Sequence, residues 1–597
     1  MKKSFIIAAI ICFALFALTL KYGWGATYYV CSDGNGAGDT AGSNWANCMD
    51  GFDDLGSPSA GDIFYLRDDD GIYRELMDLW ASGSNGSPIT FAADTGEVPV
   101  ISGADIIETW ADETGNIWSA SLATAPERVF FDGTFGTKAA TYAALDADQE
   151  WYYCDGCGDG TDNTLYQYVG SDEDPDTLYT TPGTEASVRN DGIFGYNLSY
   201  ITISGITVTN TNQQGISFYT DNNVEQTDII IDSCTVSYSD IAGIALSAAT
   251  DADSIVNSTV SNNTTFRNGS GIYLIRVFTS SIYGNTAYEN GETYGHAISE
   301  EYGIGLSGVS TSFVYENTIY DNEGIGIHLW GGETTWPVSN NTEIYNNTVY
   351  GNATDPTYIA AAFGIYIESA GANGDDICEG SKVYNNLVYD NLVGGIKVEA
   401  TDFKLYNNII YGNLTWAGIW IEANTSDGGS LIANNTVYNN DIIGVWLNNN
   451  PTTVTMRNNI IFNNGTAYGE EIRDDDGSAS MTHSNNLLWD DSSNGDDHLI
   501  QWNGSDYGTG GGTEDITAWE STGIWADPLF TDMTNDLFTL TSASPAIGAG
   551  TDVSLTTDYN GAPVCGTPSI GAYDVCTDIT SGSATITLGT GGSATLR

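Results

Sequence analysis

The chain has 597 residues, 41% hydrophobic and 16% charged, which gives ample core material and excludes global disorder. Its 78 acids face only 16 Lys plus Arg, and the formal charge of −62 argues against nucleic acid or an anionic membrane surface as partner, since both are held by clustered cations. Gly at 70, Tyr at 35 and Pro at only 13 point to many short strands and tight turns rather than helices.

Residues 1–25 read as a signal peptide. Lys2 and Lys3 precede an apolar run from Ser4 to Leu20, and Gly23-Trp24-Gly25 offers a small-residue cleavage site. A membrane anchor is the competing reading, but spanning needs about 20 apolar residues and this run has 17. Export to the cell surface or medium is therefore expected, where cysteines can oxidise. Cys31 with Cys48, Cys154 with Cys157 and Cys565 with Cys576 are close enough to pair locally. Zinc at Cys154 and Cys157 is the rival, but no second CxxC or nearby His supplies the other ligands. Cys234 and Cys378 fall in repeats about four rungs apart, roughly 19 Å at the strand spacing, too far for a disulfide and expected to stay unpaired.

Residues 26–105 read as an N-terminal cap with the first rungs. Residues 106–187 break the pattern that follows. There Trp110, Trp118, Trp151, Tyr152, Tyr153, Tyr166 and Tyr168 alternate with Asp and Gly, as in an inserted β-rich module.

From 188 to 503 one motif recurs: Asn, an apolar or Thr pair, an aromatic, any residue, Asn. It stands at Asn263–Asn268, Asn285–Asn290, Asn347–Asn352, Asn408–Asn413 and Asn435–Asn440, among others, with starts 22 to 39 residues apart. A fixed unit with variable insertions is the signature of a solenoid. Each unit continues with Gly and alternating apolar residues, such as Gly395-Ile396-Lys397-Val398 and Gly418-Ile419-Trp420-Ile421, a strand with one buried face. Paired Asn, as in Asn346-Asn347 and Asn407-Asn408, suits a turn through the left-handed region, and stacked amides can bond up a column. A leucine-rich repeat has a similar period, but no leucine frame persists and helix signals are absent. The pattern predicts an all-β, right-handed parallel β-helix of three sheets. Sequons such as Asn263-Thr264-Thr265 then belong to turns and strands rather than to glycan sites.

In each Gly-led strand the third and fifth residues should point outward. The third positions include Tyr366, Lys397, Trp420 and Trp446, followed by Glu471; the fifth include His328, Glu368, Glu399, Glu422, Asn448 and Arg473. Equivalent residues of neighbouring rungs stand ~4.8 Å apart. Three stacked carboxylates repel one another and should bind a cation, raise a pKa or lean on Lys397. Aromatic faces beside carboxylates also suit sugar rings and their hydroxyls. Tyr366, Trp420, Trp446, His328 and Asn448 are thus the candidate polysaccharide-binding residues. Walker and HExxH motifs are absent.

Residues 504–576 read as a C-terminal cap and 577–597 as a Ser/Gly/Thr tail. The Asn-rich repeat resembles those of the pectate-lyase-like superfamily of parallel β-helix proteins, as found in secreted bacterial members. Tyr28-Tyr29-Val30, Gly61-Asp62-Ile63-Phe64-Tyr65-Leu66 and Ser87-Pro88-Ile89-Thr90-Phe91 resemble their opening segment. Ser544-Pro545-Ala546-Ile547, Asp558-Tyr559-Asn560-Gly561 and Ile570-Gly571-Ala572-Tyr573-Asp574 resemble their closing one, with Gly548 and Asp574 where Asp and Glu are usual. The resemblance implies polysaccharide or cell-surface glycan as partner. For a lyase it implies Lys397 as base, Arg473 as a more distant cationic helper, and Glu368, Glu399 and Glu422 as calcium ligands. For a glycoside hydrolase, two of those glutamates would be the acid and the nucleophile or base. The alternative is a non-catalytic cell-surface or adhesive structural protein, for which the regular repeat suffices.

Overall fold

The computed structural model describes residues 25–576 apart from 33–41, 43, 46–47, 54, 69–70, 114, 159, 251, 292–300, 332–337, 355–361, 370–377, 423–428, 449–453, 466–469, 476–480, 491–498 and 509–515, together with the strands Thr585–Leu588 and Gly592–Thr595. The expected signal sequence, residues 1–24 with its apolar run, lies outside them. Among the described residues no helix is long and apolar enough to cross a membrane. The chain falls into two compact units, Met1–Thr342 with 351–361 and 370–372, and Glu343–Tyr350 with 362–369 and 373–597.

In the N-terminal unit, strands Thr27–Cys31, Ile63–Leu66, Ile89–Ala93, Ile201–Ser204 and Ile229–Asp232 pair in parallel and continue to Phe313–Tyr315. A second parallel sheet runs from Met77–Leu79 through Ile193–Tyr196 and Gln214–Thr220 to Ile325–Gly331, and a third from Val100–Ser102 to Thr318–Tyr320. Alternate residues fill the interior: Ile201, Ile203, Val208, Ile216, Phe218, Ile244 and Leu246 are all fully buried. The insertion is a β-rich module with its own core. Val129–Phe131, Thr184–Ser187 and Ala104–Ile106 form one antiparallel sheet, and Glu150–Cys154, Thr164–Tyr168 and Ile117–Ser121 another. Trp110, Trp118, Phe131, Trp151 and Leu165 pack between them. Arg128 ties the module to the rungs by donating to the Ser239 and Arg267 carbonyls at 2.9 and 3.3 Å.

The C-terminal unit repeats the plan. Its three parallel sheets begin at Glu343–Tyr345, Thr348–Tyr350 and Phe363–Ser369, and end at Thr482–Ser484, Ile524–Trp525 and Ile500–Trp502. The first Asn of each pair takes positive φ, 55° at Asn346, 54° at Asn407 and 53° at Asn434, as its tolerance of that region predicts. The second is buried and bonds along a column: Asn386, Asn408, Asn435 and Asn459 each donate Nδ2 to the Oδ1 of the next at 3.0, 2.9, 3.0 and 3.0 Å. Outward tyrosines stack beside them, with Tyr345, Tyr384 and Tyr406 spaced 4.9 and 4.8 Å.

These columns explain the glycine that opens each long strand. A Cβ on Gly418 would stand 2.6 Å from Asn440 Nδ2, and one on Gly444 2.8 Å from Asn464 Nδ2. The closing segment packs on the turns, where Asn407, Asn458 and Asn485 donate to the carbonyls of Thr557, Thr551 and Ala549 at 2.9, 2.8 and 3.0 Å. Asn263 is 1% exposed, a column member as expected rather than a glycan site. Disulfides join Cys31–Cys48, Cys154–Cys157 and Cys565–Cys576, which removes the zinc reading, and Cys234 and Cys378 are free and buried.

Candidate functional site

The long strands of the C-terminal unit place Tyr366, Lys397, Trp420, Trp446 and Arg473 in one column, each paired with the next. Lys397 was expected on an open face but is 6% exposed, and Tyr366 only 4%. Its ammonium lies 4.8 Å from the centre of the Tyr366 ring and 4.6 Å from that of Trp420. Trp420 stacks on Trp446 at 4.5 Å and 14°, and the Arg473 guanidinium lies 5.8 Å beyond. The ring faces are therefore occupied by column neighbours, a correction to the expectation of flat faces open to sugar rings. What remains open are ring edges and the flanking carboxylates.

The fifth-position residues extend the ladder by main-chain bonds: Glu399 N–H donates to Ile367, Glu422 N–H to Val398 and Asn448 N–H to Ile421. Lys397 Nζ then meets Glu399 Oε1 at 2.6 Å and Glu422 Oε2 at 2.9 Å. Tyr366 Oη donates to the same Glu399 oxygen at 2.6 Å. Burial works to lower the Lys397 pKa, but its two carboxylate partners outweigh that and hold it above the ordinary lysine value. Burial also pushes the Glu399 carboxyl up, which Lys397 only partly offsets. The Tyr366 hydroxyl is raised by burial and by Glu368 and Glu399. Lys397 is thus a fixed cation at neutral pH.

This geometry bears on calcium. One oxygen each of Glu399 and Glu422 is taken by Lys397. Two of the three candidate calcium ligands therefore share an ammonium, which meets part of the charge that a cation would otherwise neutralise.

Two residues fall in other columns than the spacing suggested. Arg473 pairs with Trp446, not with Asn448, and ion-pairs with Asp475 at 2.7 Å and Glu470 at 3.5 Å. His328 belongs to the N-terminal unit, where it pairs with Gly305, is 1% exposed and lies 5.1 Å from Tyr302. It does not stand on an open face. Glu471, expected outward, is fully buried.

Sequence reasoning missed Trp416 and Phe363. Trp416 precedes its strand, where the repeat motif has no slot, yet its ring lies 5.4 Å from Trp446 and 5.6 Å from Trp420. Phe363 meets Trp420 edge-on at 5.8 Å. Among the described residues the buried Trp420 Nε1 reaches no acceptor.

Residues 191–377, 299–427 and 339–497 match the family of right-handed β-helix regions, and together they span more than half of the chain. The chain belongs to this family. Among solved structures, XylC in complex with xylose is similar at 15% identity over 92% of this chain and 98% of that one, with a TM-score of 0.54. A glycoside hydrolase aligns at 12% identity over 71% of this chain and 96% of its own, TM-score 0.49. Pectate lyase Pel9A aligns at 13% over 93% and 97%, TM-score 0.40. No curated protein sequence matches the chain.

Proposed function

We propose that the face around Trp416, Trp420 and Trp446 binds a polysaccharide, with Tyr366, Lys397, Glu399, Glu422 and Asn448 as its polar floor. The observation that carries this reading is the cluster of Trp416, Trp420 and Trp446 on and next to the rungs that carry the Glu399 and Glu422 carboxylates, aromatic rings beside fixed hydrogen-bond acceptors. Sugar rings suit the open indole edges and sugar hydroxyls suit the carboxylate acceptors. Support comes also from XylC, which shares the fold and was solved with xylose. Three disulfides support export.

A catalytic role is the second reading. Elimination with Lys397 as base is disfavoured, because an amine held protonated by two carboxylates does not abstract a proton. Hydrolysis is better supported. Glu399 Oε1 and Glu422 Oε2 share one ammonium, so they stand no further apart than its two contacts of 2.6 and 2.9 Å laid end to end. That matches the ~5 Å of a retaining pair rather than the wider inverting one. Calcium remains a proposal, for a form in which Lys397 has been displaced.

The test is a screen of neutral and acidic polysaccharides, reading retention, reducing ends and unsaturated products together, with Trp420→Ala, Lys397→Ala and Glu399→Gln alongside. Retention lost with Trp420→Ala supports binding, and reducing ends lost with Glu399→Gln support hydrolysis. A protein that neither retains nor cuts any glycan leaves the structural, adhesive reading in its place.

A further inference from the structure

The same sheet in the N-terminal unit carries a separate aromatic row. Trp80 follows Leu79, which pairs with Gly195, and Tyr196 follows Gly195 and pairs with Tyr219. Trp80, Tyr196 and Tyr219 therefore hold one column on three consecutive rungs, ~4.8 Å apart. On the next rungs the column changes to Ser247 and Ile275. Trp80 is 49% exposed and Tyr196 41%, among the most exposed large side chains of the described residues. The rings of Tyr196 and Tyr219 stack at 6.2 Å and 18°. Trp80 borders the edge strand of the sheet, and among the described residues it has no ring contact, hydrogen bond or ion pair.

The rim of this row is polar. Tyr196 Oη donates to Asp221 Oδ1 and accepts from Asn222 Nδ2 at 3.1 Å, while Asn197 Nδ2 also reaches Asp221, at 3.4 Å. The stretches that build it, residues 77–82, 191–199 and 214–225, contain Asp78, Asp191, Asp221 and Glu225 but no Lys, Arg or His. A polyanion would meet only carboxylates there.

We propose that Trp80, Tyr196 and Tyr219 form a second binding platform, for a neutral chain of sugar rings. An indole left half in water adds little to folding, whereas exposed aromatic faces rimmed by carboxylate and amide groups suit pyranose rings and their hydroxyls. One rung of ~4.8 Å is close to the length of one pyranose unit, so successive rings can meet successive rungs; a polyproline helix repeats over two rungs and is separated from a glycan by the binding test. The proposal shares the glycan reading of the tryptophan face but rests on other residues.

Affinity electrophoresis of the full chain in gels cast with xylan or hydroxyethylcellulose, against polygalacturonate, tests it. Trp80→Ala and Tyr196→Ala are each expected to weaken retention by the neutral polymers about tenfold, the usual effect of removing an anchoring aromatic. Trp80 is half exposed, so Trp80→Ala should leave the melting temperature unmoved, whereas Tyr196→Ala also removes a ring stack and two hydrogen bonds and is compared at temperatures well below its melt. The platform is overturned if both variants migrate as wild type in every gel, if polygalacturonate or a polyproline peptide binds better than the neutral polymers, or if the wild type is retained by none. Trp420→Ala separates the two sites. Retention lost with Trp80→Ala and kept with Trp420→Ala upholds this platform and refutes the tryptophan face, and the reverse pattern does the opposite.

Discussion

Glu471 closes the column of Asn464: its Oε1 accepts the Asn464 main-chain N–H at 3.1 Å and its Oε2 the side-chain amide at 2.7 Å. One rung earlier Asn440 gives the same two groups to Asn464 Oδ1, at 3.0 and 2.8 Å. The neighbouring column ends alike, with Asn486 donating to Glu520 at 2.7 and 2.8 Å. Every amide points its donors the same way, so the last one needs a group that accepts twice, which the two oxygens of a carboxyl provide. Burial pushes the Glu471 carboxyl well above its usual range. Glu471 reaches that place from the position that is glycine on the preceding rung, Gly444.

Cutting a column should therefore cost more than losing one contact. Asn435→Ala strands the main-chain N–H of Asn408 and one of its two side-chain N–H groups, both now bonded to Asn435 Oδ1 at 2.9 Å, while the other side-chain N–H keeps the Val383 carbonyl. Each buried orphan donor costs about 1–3 kcal/mol. The expected loss is about 3 kcal/mol, read from denaturant melts, with hydrogen exchange rising on both flanking rungs. Glu471→Ala should raise exchange only around Asn464. An Asn435→Ala protein that melts like wild type would remove the columns as a source of stability.

The fold was legible because its signals are local and repeated: the Asn pair demands a left-handed turn, and the glycine makes room for the next amide. The columns at Tyr366, Lys397 and Trp420 followed from the same spacing. His328 and Arg473 were misplaced for a physical reason. Gly324-Ile325-Gly326-Ile327 offers two glycines to count from, and a slip of two residues keeps every side chain on its own face, so alternation cannot detect it. What spacing alone could not supply was the curl of Lys397 between two carboxylates, or the reach of Trp416 from a turn into the column, since both depend on side-chain rotamers.

Removing the clamp should expose what the carboxylates prefer without it. In Lys397→Met, Glu399 and Glu422 lose their shared cation in a half-buried setting, beside Glu368. Like charges so placed favour a divalent cation with oxygen ligands. The variant is expected to melt below wild type without calcium and to recover on adding it, while wild type melts alike with calcium and with EDTA at matched ionic strength. Equal calcium responses in the two proteins would show that the site is not the sensor.

Asp191 supplies a pH test. Burial, with a lesser contribution from Asp78, pushes its carboxyl up to about 7, while the Gln214 N–H pulls modestly the other way. The folded state therefore binds this proton more tightly than the unfolded one, whose Asp titrates near 3.9. Stability from this group is full below about pH 4 and falls as pH rises toward 7, the reverse of a salt-bridged aspartate. Asp191→Asn mimics the protonated form. It should raise the melting temperature at pH 8, where the ionised group costs a few kcal/mol on the order-of-magnitude scale of such shifts, and leave it nearly unchanged at pH 4. A uniform effect at both pH values would refute the assignment.

The thiols allow a check of rung geometry that needs no mutation. Cys234 is 1% exposed and Cys378 is fully buried; the Cys378 thiol lies 3.2 Å from the Glu368 carbonyl, and burial pushes the Cys234 thiol up to about 12. A thiol that is both buried and far from its thiolate form reacts slowly with disulfide reagents. Protein lacking residues 1–25 should thus react with no equivalent when native and with two when denatured without reductant, the other six cysteines being paired. Two equivalents in the native state would place these cysteines on the surface and contradict their burial. None after denaturation would mean that Cys234 and Cys378 are oxidised, which would overturn their assignment as free thiols.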